Sequence, residues 1–282
     1  MATSTPSTVY SRDLGEELRK VRESSTGLTG AAFALRLGWD PSKVSTLERG
    51  KYCPSEIDLL QYLSMLGKDI DFFEDFKRRF KNAFEEYIVQ VSDNMRTLVM
   101  AESNARTILR YDPQSVSGLI QTPEYAYGVY QLSGFVAEDR IPALVQARID
   151  RQSILKRHNR PSCLFYIHEH ALQLRVGDDR VMEEQYLRLL FNVHLVRIIP
   201  AEAPVIASSC TLWEFDKAMP VAFIDTDLAK VFVQDPAATV RARLLFDRLA
   251  EVALDEEQSR SKLAEYVGGP REDLRDAGTR LA

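Results

Sequence analysis

LTGAAFALRLGWDPSKVSTLERG, residues 28–50, is the stretch on which the reading of this chain turns. Thr29 is a good N-cap, and Ala31, Phe33, Ala34 and Leu37 behind it supply the apolar face of a short helix. Gly38 ends that helix, and Ala34 is small where a second helix would approach closely. Asp40-Pro41 then offers an N-cap followed by proline at the first helical position, a strong start signal. The second helix runs to about Arg49 with Val44 and Leu47 facing inward, and Gly50 stops it. Its free face carries Ser42, Lys43, Ser45, Thr46 and Arg49. Short hydrogen-bonding side chains interspersed with cations suit a helix lying in the major groove of DNA.

Working outward, Leu14, Leu18 and Val21 recur at helical spacing between Arg12 and about Ser24. After the motif, Pro54-Ser55 opens a helix with Ile57, Leu60 and Leu63 on one face, closed by Leu66-Gly67. A further helical stretch follows from about Asp69 to Lys81. Residues 12–82 are therefore expected to form an all-α domain of five helices, preceded by a Ser/Thr-rich disordered arm over residues 1–11.

Residues 83–267 have a mixed pattern. A long helix is expected over about Phe84–Leu109, where Phe84, Tyr87, Ile88, Val91 and Met95 form a stripe that could be a dimer seam or pack on its own domain. Thr122-Pro123-Glu124 opens a helix to about Leu132, and others are expected over about Pro142–His158, Met182–Phe191, Pro236–Ala253 and Glu256–Val267. Cys163–His168, Leu195–Ile199, Cys210–Phe215 and Val221–Ile224 have the composition of short strands, with Ala229–Val233 a candidate edge strand. The expectation is an α+β domain with a small, mostly antiparallel sheet, followed by a flexible tail over residues 268–282.

The net charge of −5 hides an uneven distribution. Residues 1–82 carry 13 Lys/Arg against 12 Asp/Glu, and the remainder 23 against 29. Between Arg36 and Lys51 the basic residues are Arg36, Lys43, Arg49 and Lys51, against Asp40 and Glu48 alone. A weak overall field that is locally positive fits a small DNA-reading face on an acidic body. Cys53, Cys163 and Cys210 form no CxxC pair and are expected to be buried reduced thiols. Neither a membrane span nor a signal peptide is evident, so the expected location is the cytoplasm.

The N-terminal motif resembles the helix-turn-helix family named for the xenobiotic response element (XRE), related to phage repressors. Leu28-Thr29, Phe33-Ala34, Leu37-Gly38, Val44-Ser45, Leu47-Glu48-Arg49-Gly50 and Pro54 carry the resemblance. By that likeness Ser42, Lys43 and Thr46 sit where the family reads bases, Arg49 and Lys51 where it touches phosphates, and Glu48 where it has a buried structural carboxylate. Two departures stand out: Gly30 replaces the usual phosphate-holding glutamine, and the loop before Leu28 is one residue longer. The rest of the chain is similar to the actinobacterial domain of unknown function that follows this helix-turn-helix in WhiJ-type developmental regulators. The segments concerned are Arg110–Ala126, Arg148–Gln152, Ile167–Leu172 and Thr211–Phe215. The likeness implies a small partner protein encoded nearby, in an arrangement compared with antitoxin–toxin pairs.

Other chemistry finds little support. His168-Glu169-His170 would place both imidazoles on one face of a strand, but no third ligand stands at a metal-like spacing, and a structural or surface role is the simpler reading. No GxSxG, HExxH, P-loop or GxGxxG pattern occurs, so neither an enzyme nor a cofactor is expected. Tyr111, Tyr125, Phe165 and Trp213 are candidates for lining a ligand or partner pocket, although such residues more often simply belong to the core. The expectation is a DNA-binding regulator that holds a pseudo-palindromic operator as a homodimer, with an antitoxin-like protein or a metabolite-responsive repressor as the alternatives.

Overall fold

The computed structural model describes residues 7–90, 95–226 and 228–268. The order opens with five helices: α1 Val9–Thr26, α2 Gly30–Leu37, α3 Pro41–Glu48, α4 Glu56–Met65 and α5 Ile70–Lys81. Next come β1 Tyr87–Gln90, α6 Arg96–Asn104, β2 Thr107–Asp112, α7 Pro123–Ser133, α8 Ile141–Arg151, β3 Ser162–His168 and α9 Glu169–Gln173. The chain continues through α10 Asp179–Phe191, β4 Val196–Ile199, β5 Cys210–Glu214, β6 Val221–Asp225 and β7 Lys230–Val233. It ends in α11 Pro236–Val252 and α12 Glu256–Gly268. Two compact units divide these residues, one holding those up to Arg106 with Trp213–Val240, the other Thr107–Leu212 with those from Arg241 onward.

In the first unit, side-chain caps set the helix starts. Thr8, Thr29, Asp40, Ser55 and Asp69 each accept a backbone N–H of the helix that follows. The five helices enclose one core, including Leu14, Leu18, Phe33, Val44, Leu47, Tyr62, Leu63 and Phe76. Phe33 meets Tyr62 edge-on with ring centroids 4.9 Å apart. Helix α1 begins at Val9, inside the expected arm, because Thr8 caps it and Val9 is buried. Residues 1–6 of that arm lie outside the described residues. Helix α4 is turned from the expected face. Leu59, Tyr62 and Leu63 are buried, while Ile57 and Leu60 are 71% and 43% exposed.

The expected helix over Phe84–Leu109 is instead β1, α6 and β2. Strand β1 pairs antiparallel with β7, from Tyr87↔Val233 to Gln90↔Lys230, and β7 pairs with β6 on its other side. β7 is thus not an edge strand. The spacing of Phe84, Tyr87 and Ile88 is helical, but a pairing partner far along the chain overrides it, and as a strand Tyr87 is exposed while Ile88 is buried. Val91 of the expected stripe lies outside the described residues. Helix α6 is fixed to α1 by Arg96, which reaches Asp13 at 2.9 Å and Glu17 at 2.6 Å, and by the Thr97 hydroxyl donating to Asp13 at 3.0 Å.

In the second unit, β2, β3 and β4 are parallel, with Thr107↔Ser162 and Phe165↔Val196 opening the two registers. Helical crossovers through α7–α8 and α9–α10 make parallel neighbours possible. Over the described residues as a whole the strands run in the order β1-β7-β6-β5-β2-β3-β4, a mixed sheet of seven strands; the α+β expectation holds, with a larger sheet than the small one expected. Helix α12 is tied to β4, where Ile198 N–H donates to Ser259 Oγ at 3.1 Å and Ile198 O accepts from Leu254 N–H at 2.8 Å. The expected tail beyond Gly268 lies outside the described residues. None of the described helices is long and apolar enough to cross a membrane.

Candidate nucleic-acid interface

The turn between α2 and α3 is made by backbone geometry that the sequence encodes locally. Gly38 takes φ +68°, a left-handed conformation that favours glycine, and Trp39 N–H returns to Ala34 O at 2.9 Å. Asp40 accepts from Ser42 N–H at 2.7 Å, and Pro41 follows at the first helical position. Ala34, Val44 and Leu47 are fully buried, so α3 is fastened along one side only.

A close pass of α1 over the C-terminus of α3 fixes the other end. A Cβ on Gly15 would lie 2.7 Å from Glu48 O, and one on Gly50 would lie 2.3 Å from the Ser11 backbone. Gly50 also has φ +63°, so it serves both turn and contact. Ser11 Oγ donates to Gly50 O at 2.8 Å across the gap that these glycines leave. Nothing in the local pattern marks Gly15 for this task.

Glu48, the expected buried carboxylate, is the electrostatic centre of the scaffold. It accepts from Arg22 Nε at 2.6 Å, Arg22 Nη2 at 2.8 Å and the Tyr62 hydroxyl at 2.6 Å. Arg22 also donates to Leu28 O, joining α1, the loop before α2, α3 and α4. The hydrogen bond to Glu48 raises the Arg22 pKa above its ordinary value. Burial, and then the hydrogen bond to Glu48, raises that of Tyr62.

The outward side of α3 holds the expected readers in three different states. Ser42, Arg49 and Lys51 are exposed; Lys43, Ser45 and Thr46 are half-buried. Lys43 is tethered, its Nζ 2.6 Å from Asp58 and 4.1 Å from the centre of the Trp39 ring. Tyr52 donates to the same Asp58. Thr46 Oγ1 is turned onto its own helix, bonded to Ser42 O at 2.8 Å and Lys43 O at 3.0 Å. Arg49 folds back likewise, with Nε donating to Ser45 O at 3.0 Å and Nη2 to Ser45 Oγ. Asp58, Trp39 and Tyr52, which hold Lys43, had no signal in the sequence because α4 must first be packed before Asp58 comes near. Gly30 sits 3.7 Å, by its Cβ direction, from Val44 and offers DNA no side chain.

The other candidates are separate from this face. Tyr111, Tyr125, Phe165 and Trp213 are each 1% exposed or less and belong to the core. Trp213 packs on Phe223 and Phe232, with centroids 5.1 and 6.1 Å away. His168 ends β3 and caps α9, so His170 lies on a helix rather than on the expected strand; the two rings are still 4.4 Å apart. No cluster of three metal-ligating side chains occurs among the described residues. All three cysteines are free, but only Cys163 is buried as expected; Cys210 is half-buried and Cys53 exposed.

Five helices, a left-handed turn and an outward α3 define a DNA-binding helix-turn-helix, and residues 13–71 match the helix-turn-helix domain family. Residues 95–265, more than half of the sequence, match the domain of unknown function DUF5753, and the chain belongs to that family. No curated protein and no solved structure matches the chain.

Proposed function

We propose that this chain is a sequence-specific transcriptional regulator of the XRE and WhiJ type, binding a two-fold operator as a homodimer. In this reading residues 12–82 read DNA, and residues 83–267 take up a small partner protein or ligand that alters operator binding. The observation that carries it is the outward side of α3, where Ser42, Ser45 and Thr46 lie among the cations Lys43, Arg49 and Lys51. Ser42, Lys43, Ser45 and Thr46 are the proposed base readers, and Arg49 and Lys51 the phosphate contacts. Thr46 spends its donor, and Arg49 part of its fork, on their own helix, so contact with DNA through those groups exchanges intrahelical hydrogen bonds for intermolecular ones. A ligand or partner shifts operator binding only through unequal affinity for the DNA-competent and incompetent states.

The test is binding of the purified chain to its own upstream DNA and to random DNA across a salt series. Preference for upstream DNA that persists as salt rises, and is lost on alanine substitution of Ser42, Lys43 and Thr46, is the expected result. Equal binding of both DNAs at every salt concentration would overturn it.

A further inference from the structure

Between β2 and α7 lies a loop whose second part, Val116–Thr122, is buried throughout. Buried irregular backbone must find its hydrogen-bond partners among side chains, and glutamines supply most of them here. Gln152 Nε2 donates to Gly118 O and Gln121 O, both at 2.9 Å. Gln185 donates to Ile120 O at 3.0 Å and accepts from Thr122 N–H at 2.8 Å.

Beside these amides, positive charge is gathered around the loop. Arg148 on α8 donates to Gln121 Oε1 at 2.6 Å and to the Tyr130 hydroxyl at 2.9 Å, with its guanidinium 4.4 Å from the Tyr130 ring centre. Arg188 on α10 donates to Ile120 O at 3.1 Å and to Gln152 Oε1 at 2.6 Å. Every one of these acceptors is neutral. Arg148 Nε is shut off from solvent and has no hydrogen-bond partner. Burial is the main cause that lowers the Arg148 pKa, and the charges of Arg151 and Arg110 lower it further. Asp112 is already gripped by Arg110 through Nε at 2.7 Å and Nη2 at 2.8 Å. Gly118 leaves room for the cations: a Cβ there would stand 2.8 Å from Arg151 Nη2 and 3.5 Å from Arg148 Cδ.

Arg148 and Arg188 are half-buried, and a cation drawn even partly out of water is ordinarily paired, because an unpaired one costs stability. We propose that Arg148 and Arg188, over the Val116–Thr122 loop, form a receptor for the oxyanion group of a small molecule, a phosphate or a carboxylate. Guanidinium forks match both groups, and the anion supplies a counter-charge to two cations whose hydrogen-bond acceptors among the described residues are neutral. All of these residues belong to one compact unit. As an effector site the receptor rests on the proposed regulatory function; as a binding site it does not.

The experiment is calorimetric titration of the full chain with inorganic phosphate and, separately, malonate, against chloride at matched ionic strength. Saturable binding of at least one oxyanion is expected, weakened at least tenfold in Arg148→Met and Arg188→Met and unchanged in the control Arg180→Met. Arg148→Lys keeps the charge without the fork and should also lose affinity, which covers the case in which Arg148→Met fails to fold. The preferred anion separates a phosphate site from a carboxylate site. Absence of saturable binding, or undiminished binding in both Arg148 variants, overturns the proposal. Operator titrations with and without the bound anion are scored apart. Anion binding that leaves operator affinity unchanged removes the effector role alone, and absence of operator preference strikes only the DNA-binding reading.

Discussion

Arg22 in the helix-turn-helix and Arg148 in the α+β unit both draw a guanidinium away from water, yet they meet different partners. Arg22 grips the Glu48 carboxylate, and the two side chains are only 4% and 8% exposed. Arg148 finds an amide oxygen, a phenol and an aromatic face, with one N–H left over. The first arrangement is electrically closed: it holds four segments in place and asks nothing of the surroundings. The second is open: among the hydrogen bonds of the described residues, the Arg148 guanidinium meets no carboxylate. A paired cation therefore marks framework, whereas one among neutral acceptors marks a place for chemistry.

The comparison is broken most directly by removing one member of each set. Glu48→Gln removes the buried counter-charge of Arg22, leaves it only the half-exposed Glu23 at 3.5 Å, and should cost about 3–5 kcal/mol of stability. Arg148→Met removes a charge that had no carboxylate and should leave the denaturation midpoint close to that of the parent. Replacing Arg22 and Glu48 together by apolar residues should recover much of the single-variant loss, since desolvation of both charges is then avoided. Equal losses in Glu48→Gln and Arg148→Met, read by urea denaturation, would erase the distinction between the two regions.

Next in size is Gly50→Ala. A left-handed backbone costs an alanine about 1–2 kcal/mol, and the added Cβ would also strike the Ser11 backbone at 2.3 Å. Melting of this variant should fall well below that of Gly38→Ala, where the same left-handed geometry meets open space. Similar losses for the two would show that the close pass of α1 contributes little.

Gly50 also shows how far the sequence could be followed. Its role as a helix stop is local, like the caps at Thr29, Asp40 and Ser55, and the order of the first five helices was legible from such signals. Its second role depends on Ser11 across a tertiary contact, and no pattern within a window of a few residues encodes that. The same limit explains β1. Tyr87, Ile88 and Val89 can serve a helix or a strand, and pairing with Phe232 and Val231 decides the matter. In the site, the identity of the outward residues was legible. Their engagement was not: Lys43 is held by Asp58 and Trp39 only once α3 and α4 have packed.

That difference among cations gives the third test. Thr46→Ala should cost about 1–3 kcal/mol at one base step and relax preference there. Lys51 is exposed, and Lys51→Ala should weaken cognate and random DNA alike, reducing the salt slope by about 1. Competition binding at several salt concentrations distinguishes the two patterns. If both variants act equally on cognate and random DNA, the division of α3 into readers and phosphate contacts is wrong.

The smallest effect belongs to His168, and its sign follows from geometry. Burial, and then the neighbouring charge of His170, lowers its pKa below the ordinary 6.5. His168 Nδ1 accepts the His170 N–H at 3.3 Å, which requires that nitrogen to be unprotonated. Below about pH 6.5 the unfolded chain therefore binds a proton that the folded chain resists. Its contribution to stability is complete above that pH and is lost as pH falls toward the folded-state value. Glu169, whose pKa is lowered chiefly by its hydrogen bond to Ala201 N–H and its contacts with Lys262 and Tyr266 against the opposing effect of burial, loses its contribution only in more acidic solution, below the ordinary 4.5. Melting between about pH 7.5 and about pH 5.5 should show a modest decline that His168→Asn removes, because asparagine can still cap α9 but cannot titrate. A decline that survives in His168→Asn would move the proton to another histidine and leave the 4.4 Å ring pair a packing contact alone.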